Sequence, residues 1–192
     1  MRCFLAIELP NTVYMQLINL QQRLNVDGLP IAWAKPEVMH LTLRFLGEVP
    51  DVEVPALCQT GSIYMTGAAS CHLKLRGVGV FPNMKRVSVL WAGVEVLQGD
   101  LTTLRSLADK VAESINIPKD NKPFYPHITL GRLKTKPGKS PGGDSLVQLQ
   151  RLLSELKTFT GDAFDARAVA LFSSTLHKGG ARHQRIGEYL LT

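Results

Sequence analysis

The chain has 192 residues, 45% hydrophobic and 20% charged. That is close to one ordinary domain, with enough apolar residues for a sizeable core, and it excludes the disordered and fibrous classes. No apolar run approaches the roughly 20 residues that a membrane-spanning helix needs. Lys and Arg outnumber Asp and Glu by 22 to 16, and the surplus is uneven. Residues 1–126 hold 12 basic and 11 acidic side chains, whereas 127–192 hold 10 and 5. Arg132, Lys134, Lys136, Lys139, Lys178, Arg182 and Arg185 make the last third basic. Such a field attracts phosphate-bearing partners, unless it is simply a solvated face. The N-terminus turns acidic at Glu8, unlike a signal peptide. Cys3, Cys58 and Cys71 are an odd set without metal-ligand spacing, which fits a reducing cytoplasm better than a disulfide framework.

In chain order, Phe4–Ile7 is an apolar run ended by Pro10-Asn11 and reads as a buried strand. Tyr14, Leu17, Ile18 and Leu24 follow helical spacing, with Asn11 as a plausible cap and Gly28 beyond the end. Met39–Leu46 is strand-like between Pro36 and Gly47-Glu48-Val49-Pro50, and residues 51–70 suggest a short helix and a loop. Cys71–Val80 and Arg86–Ala92 are candidate strands joined by Phe81-Pro82-Asn83. Leu97, Leu101, Leu104, Ala108, Val111 and Ile115 step by four and three, an amphipathic helix stopped at Pro118. His127–Leu133 is a further strand with the basic exit 134–143. A third helix carries Leu146, Leu149, Leu153 and Leu156, capped by Asp144 or Ser145. Two closing strands, near Phe164–Phe172 and Gln184–Leu191, flank Gly179-Gly180. The order hints at two similar halves within one α+β domain spanning 1–192. Its sheet should be mainly antiparallel, with helices on the outer faces.

One tetrapeptide occurs twice, His40-Leu41-Thr42-Leu43 and His127-Ile128-Thr129-Leu130. With five His and twelve Thr in the chain, chance supplies His-x-Thr about 0.3 times. Residues i and i+2 of a strand share a face, so each His sits beside its Thr, with the apolar pair packing behind. If the halves are related by a pseudo-twofold axis, two imidazoles and two hydroxyls converge across a cleft. That set suits phosphoryl transfer: one histidine removes a proton from the attacking water, and the other protonates the leaving oxygen. The Thr42 and Thr129 hydroxyls can donate to the non-bridging oxygens. Arg132, five residues after His127, is the best guanidinium for the same oxygens, and Arg44 shares the face of His40 if its strand stays regular. The bland alternative is a pair of half-buried strand histidines. There is no His-x-His or Cys-x-x-Cys, and no acid within four residues of His127, so no metal or cofactor is expected.

These residues resemble the 2H phosphoesterase superfamily, named for its two His-x-Thr motifs, and within it the LigT-like RNA 2′,3′-cyclic phosphodiesterases, historically called 2′-5′ RNA ligases. Arg2-Cys3-Phe4-Leu5-Ala6-Ile7 is similar to the family's first strand, and Val89-Leu90-Trp91-Ala92-Gly93-Val94 to its central one. Trp33-Ala34-Lys35-Pro36-Glu37 leads into His40-Leu41-Thr42-Leu43-Arg44-Phe45-Leu46-Gly47 as in the family. Phe124-Tyr125-Pro126-His127-Ile128-Thr129-Leu130-Gly131-Arg132 matches the second motif. The resemblance implies a bilobed α+β fold: two mainly antiparallel sheets about a pseudo-twofold axis, helices outside, and a central cleft. It implies metal-independent hydrolysis of a terminal ribose 2′,3′-cyclic phosphate to a 2′-phosphate, with weak reversible 2′-5′ joining of RNA ends. On the family pattern His40 is the acid and His127 the base; spacing alone does not assign them. Phe45 corresponds to an aromatic that packs on the terminal base, or else is a core phenylalanine.

The C-terminal part departs from the family, which tends to place tyrosine where His183 stands. His177 and His183 read as solvated loop histidines, and His72 as an exposed strand residue. Gly138-Lys139-Ser140 looks like the end of a phosphate loop, but Leu133 stands where its first glycine belongs. The segment therefore reads as a basic loop that contacts RNA phosphates. The expected partners are RNA ends or nucleotides with a 2′,3′-cyclic phosphate. No membrane or obligate protein partner is expected, and the chain should be monomeric. Two other readings stay open: a phosphodiesterase of small cyclic nucleotides or 2′-5′ oligoadenylates, and an RNA-binding module without chemistry.

Overall fold

The computed structural model describes residues 1–134, 143–177 and 180–192. Gly138-Lys139-Ser140, Lys136, Lys178 and Gly179 lie outside the described residues. The strands are β1 (Arg2–Ile7), β2 (Ile31–Trp33), β3 (Leu41–Glu48), β4 (Cys71–Asn83), β5 (Arg86–Gln98), β6 (His127–Leu133), β7 (Thr160–Ala166), β8 (Ala168–His177) and β9 (Gly180–Leu190). The helices are α1 (Asn11–Arg23), α2 (Val54–Met65), α3 (Leu101–Glu113) and α4 (Gly143–Glu155).

The strand order β7-β4-β5-β6-β3-β1-β8-β9 falls into two antiparallel four-stranded halves, with β2 added along β6. In each half a strand, a helix and a His-x-Thr strand follow one another: β1-α1-β3 (with β2 inserted) and β5-α3-β6. The halves meet where β3 lies against β6 through one pair, Leu41 opposite Ile128. The expected two sheets are thus present and joined edge to edge. Both residues of the joining pair are fully buried.

The helices cover one face only. Val13, Leu17 and Leu20 of α1 and Leu104, Ala108 and Val111 of α3 are buried in the main core. Each helix packs beneath the other half's histidine strand, α1 under β6 and β7, α3 under β3. Asp100 caps α3 by accepting from the Thr102 amide at 2.8 Å, so the helix starts at Leu101, not Leu97, which lies within β5. Asn11 is the first residue of α1 rather than its cap; Pro10 precedes it, with an extended backbone. The two expected closing strands are three, because β7 and β8 are broken at Arg167 and pair with different neighbours, β4 and β1. Residues 51–70 hold a short turn at Asp51–Glu53, the helix α2 and a loop after Met65, as expected, and β2 was not expected.

Both motif strands carry an extra residue directly after the His-x-Thr pair, and β3 carries a second at Leu46, between Phe45 opposite Phe4 and Gly47 opposite Cys3. Thr42 faces Ala6 and Arg44 faces Leu5, leaving Leu43 without a partner. Thr129 faces Trp91 and Gly131 faces Leu90, leaving Leu130 without one. These are β-bulges, and a bulge flips the inside-outside alternation of every residue beyond it. Because Leu41 closes the seam between the halves, Leu41→Ala is expected to cost about 2–5 kcal/mol in denaturant unfolding. A cost within that of a surface substitution contradicts a seam held by core packing.

Candidate active site

The uncovered face of the sheet carries the two histidines. His40 and His127 each immediately precede a residue of the joining pair, so they approach the seam from opposite ends of antiparallel strands. Diagonal neighbours in such a ladder lie about 7–8 Å apart, a separation that one phosphate can bridge. Thr42 and Thr129 follow on the same face, both half-buried. The four residues expected to converge, His40, Thr42, His127 and Thr129, are therefore gathered at one place.

Both rings are held alike. His40 Nδ1 lies 2.9 Å from the Val38 carbonyl oxygen, and His127 Nδ1 lies 2.6 Å from that of Tyr125. A carbonyl only accepts, so each Nδ1 carries the proton and donates it, and each Nε2 is left for proton transfer. Aromatic rings fix the planes. Phe4 stacks on His40 at 4.5 Å between centroids, and Phe81 meets His127 edge-on at 4.9 Å. Phe4, Ala6, Ala170 and Phe172 form a small apolar cluster apart from the main core, the floor beneath His40. Trp91, opposite Thr129, flanks His127 at 6.2 Å. Its ring lies over Gly79, where any Cβ would collide with it.

Burial governs the titration. Desolvation, then the neighbouring His183, push His40 down to about 4, and the charge of His127 acts in the same direction. Desolvation also lowers His127, against the bond to Tyr125 and helped by Arg132. Both imidazoles therefore favour the neutral form near pH 7.

The bulges sort the remaining candidates. Beyond Leu130, Arg132 is exposed and near enough to disfavour charge on His127, as its expected role requires. Beyond Leu43, Phe45 turns to the cleft, opposite Phe4, with 61% of its surface exposed. Its core alternative is thereby removed. Arg44 is a correction. The strand is not regular, the bulge turns Arg44 away from His40, and it is 6% exposed among Asp109, Asp120 and the Pro118 carbonyl. It is not placed to touch a substrate in the cleft.

His183 is a second correction. It sits on β9, its ring 5.3 Å from His40 and 4.9 Å from Phe4, and its buried Nδ1 has no partner among the described residues. Only the long-range pairing of β9 with β8 brings it there. His177, by contrast, is exposed, and His72 holds Asp165 at 2.7 Å. Of the basic residues in the last third, Arg185 is engaged by Glu8 and Glu188 at 2.9 and 2.6 Å. Among the described residues no three His, Cys, Asp or Glu side chains gather as a metal site needs, and no helix is long and apolar enough to cross a membrane.

A bilobed α+β fold with one His-x-Thr strand from each lobe defines the class of two-histidine phosphoesterases. The pattern of the LigT like phosphoesterase family matches residues 7–91 and 94–183, and the chain belongs to that family. It is 31% identical over 160 residues, 83% of this chain and 81% of the relative, to an RNA 2′,3′-cyclic phosphodiesterase of Aquifex aeolicus. A crystal structure from Thermus thermophilus superposes with a TM-score of 0.77 at 28% identity, covering 99% of this chain and 97% of that one. E. coli LigT complexed with 3′-AMP shares the fold, with a TM-score of 0.72 at 23% identity over 100% of this chain and 98% of that one.

The lowered His40 makes folding pH-dependent. Between about pH 4 and 6.5 the unfolded chain binds the proton that the folded chain refuses, so stability is lost as pH falls through that window. Thermal unfolding from pH 7 to 4 should show this loss, and His40→Asn should reduce it. Parallel curves for the two proteins contradict a buried neutral His40.

Proposed function

We propose that the protein hydrolyses the 2′,3′-cyclic phosphate at an RNA end to a 2′-phosphate, with His127 as base and His40 as acid. The observation that carries this reading is the pair of matched imidazoles, each anchored through Nδ1 with Nε2 free, meeting at the Leu41–Ile128 seam. Nε2 of His127 takes a proton from water as its oxygen bonds to phosphorus. The bond from phosphorus to O3′ breaks on the opposite side, and the Nε2 proton of His40 goes to O3′. Thr42, Thr129 and Arg132 stabilise the non-bridging oxygens. Phe45 offers a stacking face to the terminal base, which favours an RNA end over a bare phosphodiester. A ribose 5′-hydroxyl in place of water gives a 2′-5′ linkage by the same transfers. We further propose that the two lobes work as one domain and as a monomer, in the cytoplasm.

The assignment of His40 as acid follows the family pattern, and it requires His40 to be protonated when the substrate is bound. Burial opposes that charge in the protein alone, and the anionic phosphate favours it.

With an RNA ending in a 2′,3′-cyclic phosphate, full activity is expected in excess EDTA. His40→Ala and His127→Ala should each lose about 10²- to 10⁴-fold in kcat. Full activity of His127→Ala, or loss of activity to the chelator, contradicts the mechanism. A substrate with sulfur at the 3′ bridging position leaves as a thiolate and needs no acid. It should restore His40→Ala and not His127→Ala, and the reverse pattern exchanges the roles. Because both imidazoles are lowered in the free protein, the bell-shaped profile of kcat/KM should peak below pH 6.5. A peak above pH 7.5 contradicts the desolvated pair.

A further inference from the structure

Gln21, on α1, is 9% exposed, and both of its side-chain amide hydrogens are committed. Nε2 donates to the carbonyl of Ala34 and to that of Leu130, each at 2.8 Å. Leu130 is the extra residue of the His127 strand. Ala34 belongs to the segment that leads through Val38, the residue that holds His40 Nδ1. The Ala34 amide also donates to the Leu130 carbonyl at 2.8 Å, and the Gln21 side chain braces this tie between the approach to the first histidine and the bulge of the second.

The mirror arrangement lies across the pseudo-axis. Arg105, on α3, donates through Nη1 to the carbonyl of Leu43 at 2.5 Å, and Leu43 is the first extra residue of the His40 strand. Its other nitrogens reach Asp109 at 3.3 Å and Asp120 at 3.4 Å. Arg44 joins Asp109 at 3.0 Å and Asp120 at 3.5 Å and donates to the Pro118 carbonyl. Pro118 and Asp120 lie on the segment that leads to Tyr125, which holds His127 Nδ1. In both lobes, a polar side chain on a helix fastens the approach to one histidine to the bulge beside the other.

We propose that Gln21 and the Arg44–Arg105–Asp109–Asp120 cluster are positioning residues that set the spacing and aim of the two imidazoles. A bulge leaves backbone groups outside the ladder, and buried carbonyls demand a donor. The helices supply a donor from the opposite lobe, Arg105 at Leu43 and Gln21 at Leu130 beside the Ala34 amide, which reaches the same carbonyl at 2.8 Å, so neither histidine strand can shift without straining the support of the other. The histidine strands themselves share one backbone pair, and β2 runs along β6 beside it. In-line transfer tolerates little error, since a displacement of about 1 Å can cost about 10²-fold. The proposal rests on the reading of His40 and His127 as the acid–base pair.

The test compares Gln21→Met, which keeps the length and removes both donors, with wild type and His127→Ala on the cyclic-phosphate RNA. Rates are expressed per folded molecule from thermal unfolding. Gln21→Met should lose at least tenfold in kcat while KM stays within about threefold. Arg105→Met should do the same, and Arg105→Lys, which keeps a donor and the charge, should recover much of it. These two variants decide the matter should Gln21→Met not fold. A structural role alone changes the folded fraction and leaves kcat per folded molecule untouched, and that result overturns the positioning proposal. An inactive His127→Ala beside unimpaired Gln21→Met and Arg105→Met sinks the positioning proposal alone, whereas an active His127→Ala sinks the reading beneath it.

Discussion

The pairing of Leu41 with Ile128 is the constraint from which the site follows. Each is the second residue of its His-x-Thr tetrapeptide, and each is fully buried. Side chains alternate along a strand, so burying these two apolar residues lifts the flanking His and Thr to the other face. Antiparallel direction then does the rest. The two motifs run past one another, and their histidines come from opposite ends, as the proposed in-line displacement at one phosphorus requires. The apolar residue of the motif is therefore as much a part of the site as the imidazole, although it touches no substrate.

Burial has a cost that the chemistry exploits. The rings stacked around His40 and His127 exclude water and hold the imidazole planes, and by doing so they make a charged imidazole unfavourable. An incoming phosphodiester carries the negative charge that reverses this. On the proposed mechanism the site takes up its proton together with the ligand. His183, beside His40 and with no partner for its Nδ1 among the described residues, adds a third imidazole to that balance.

What could be read from the chain was what depends on near neighbours. The two tetrapeptides on strands, the step of four and three along α3 and the apolar run of β1 are local patterns, and they place the four central residues where they are found. Arg44 and Phe45 show where such reading ends. Their direction depends on Leu43 being squeezed out of register against Ala6 and Leu5, and nothing within the segment Leu41-Thr42-Leu43-Arg44-Phe45 states that. Gln21 and Arg105 are invisible for the same reason, since their acceptors lie 109 and 62 residues away. His183 reaches the cleft only through the register of β9 on β8. The break at Arg167 was missed because alternation runs on through it, and only the change of partner from β4 to β1 ends one strand and starts the next.

The central claim is that one phosphate is held between both imidazoles, and NMR of the ring nitrogens during titration with a nucleoside 2′-phosphate addresses it directly. The Nε2 signals of His40 and His127 should move together and saturate at one equivalent, with both rings taking up protons at a higher pH than in the free protein. Movement of one ring alone, or two transitions with separate saturation, would show that the histidines do not grip a common group.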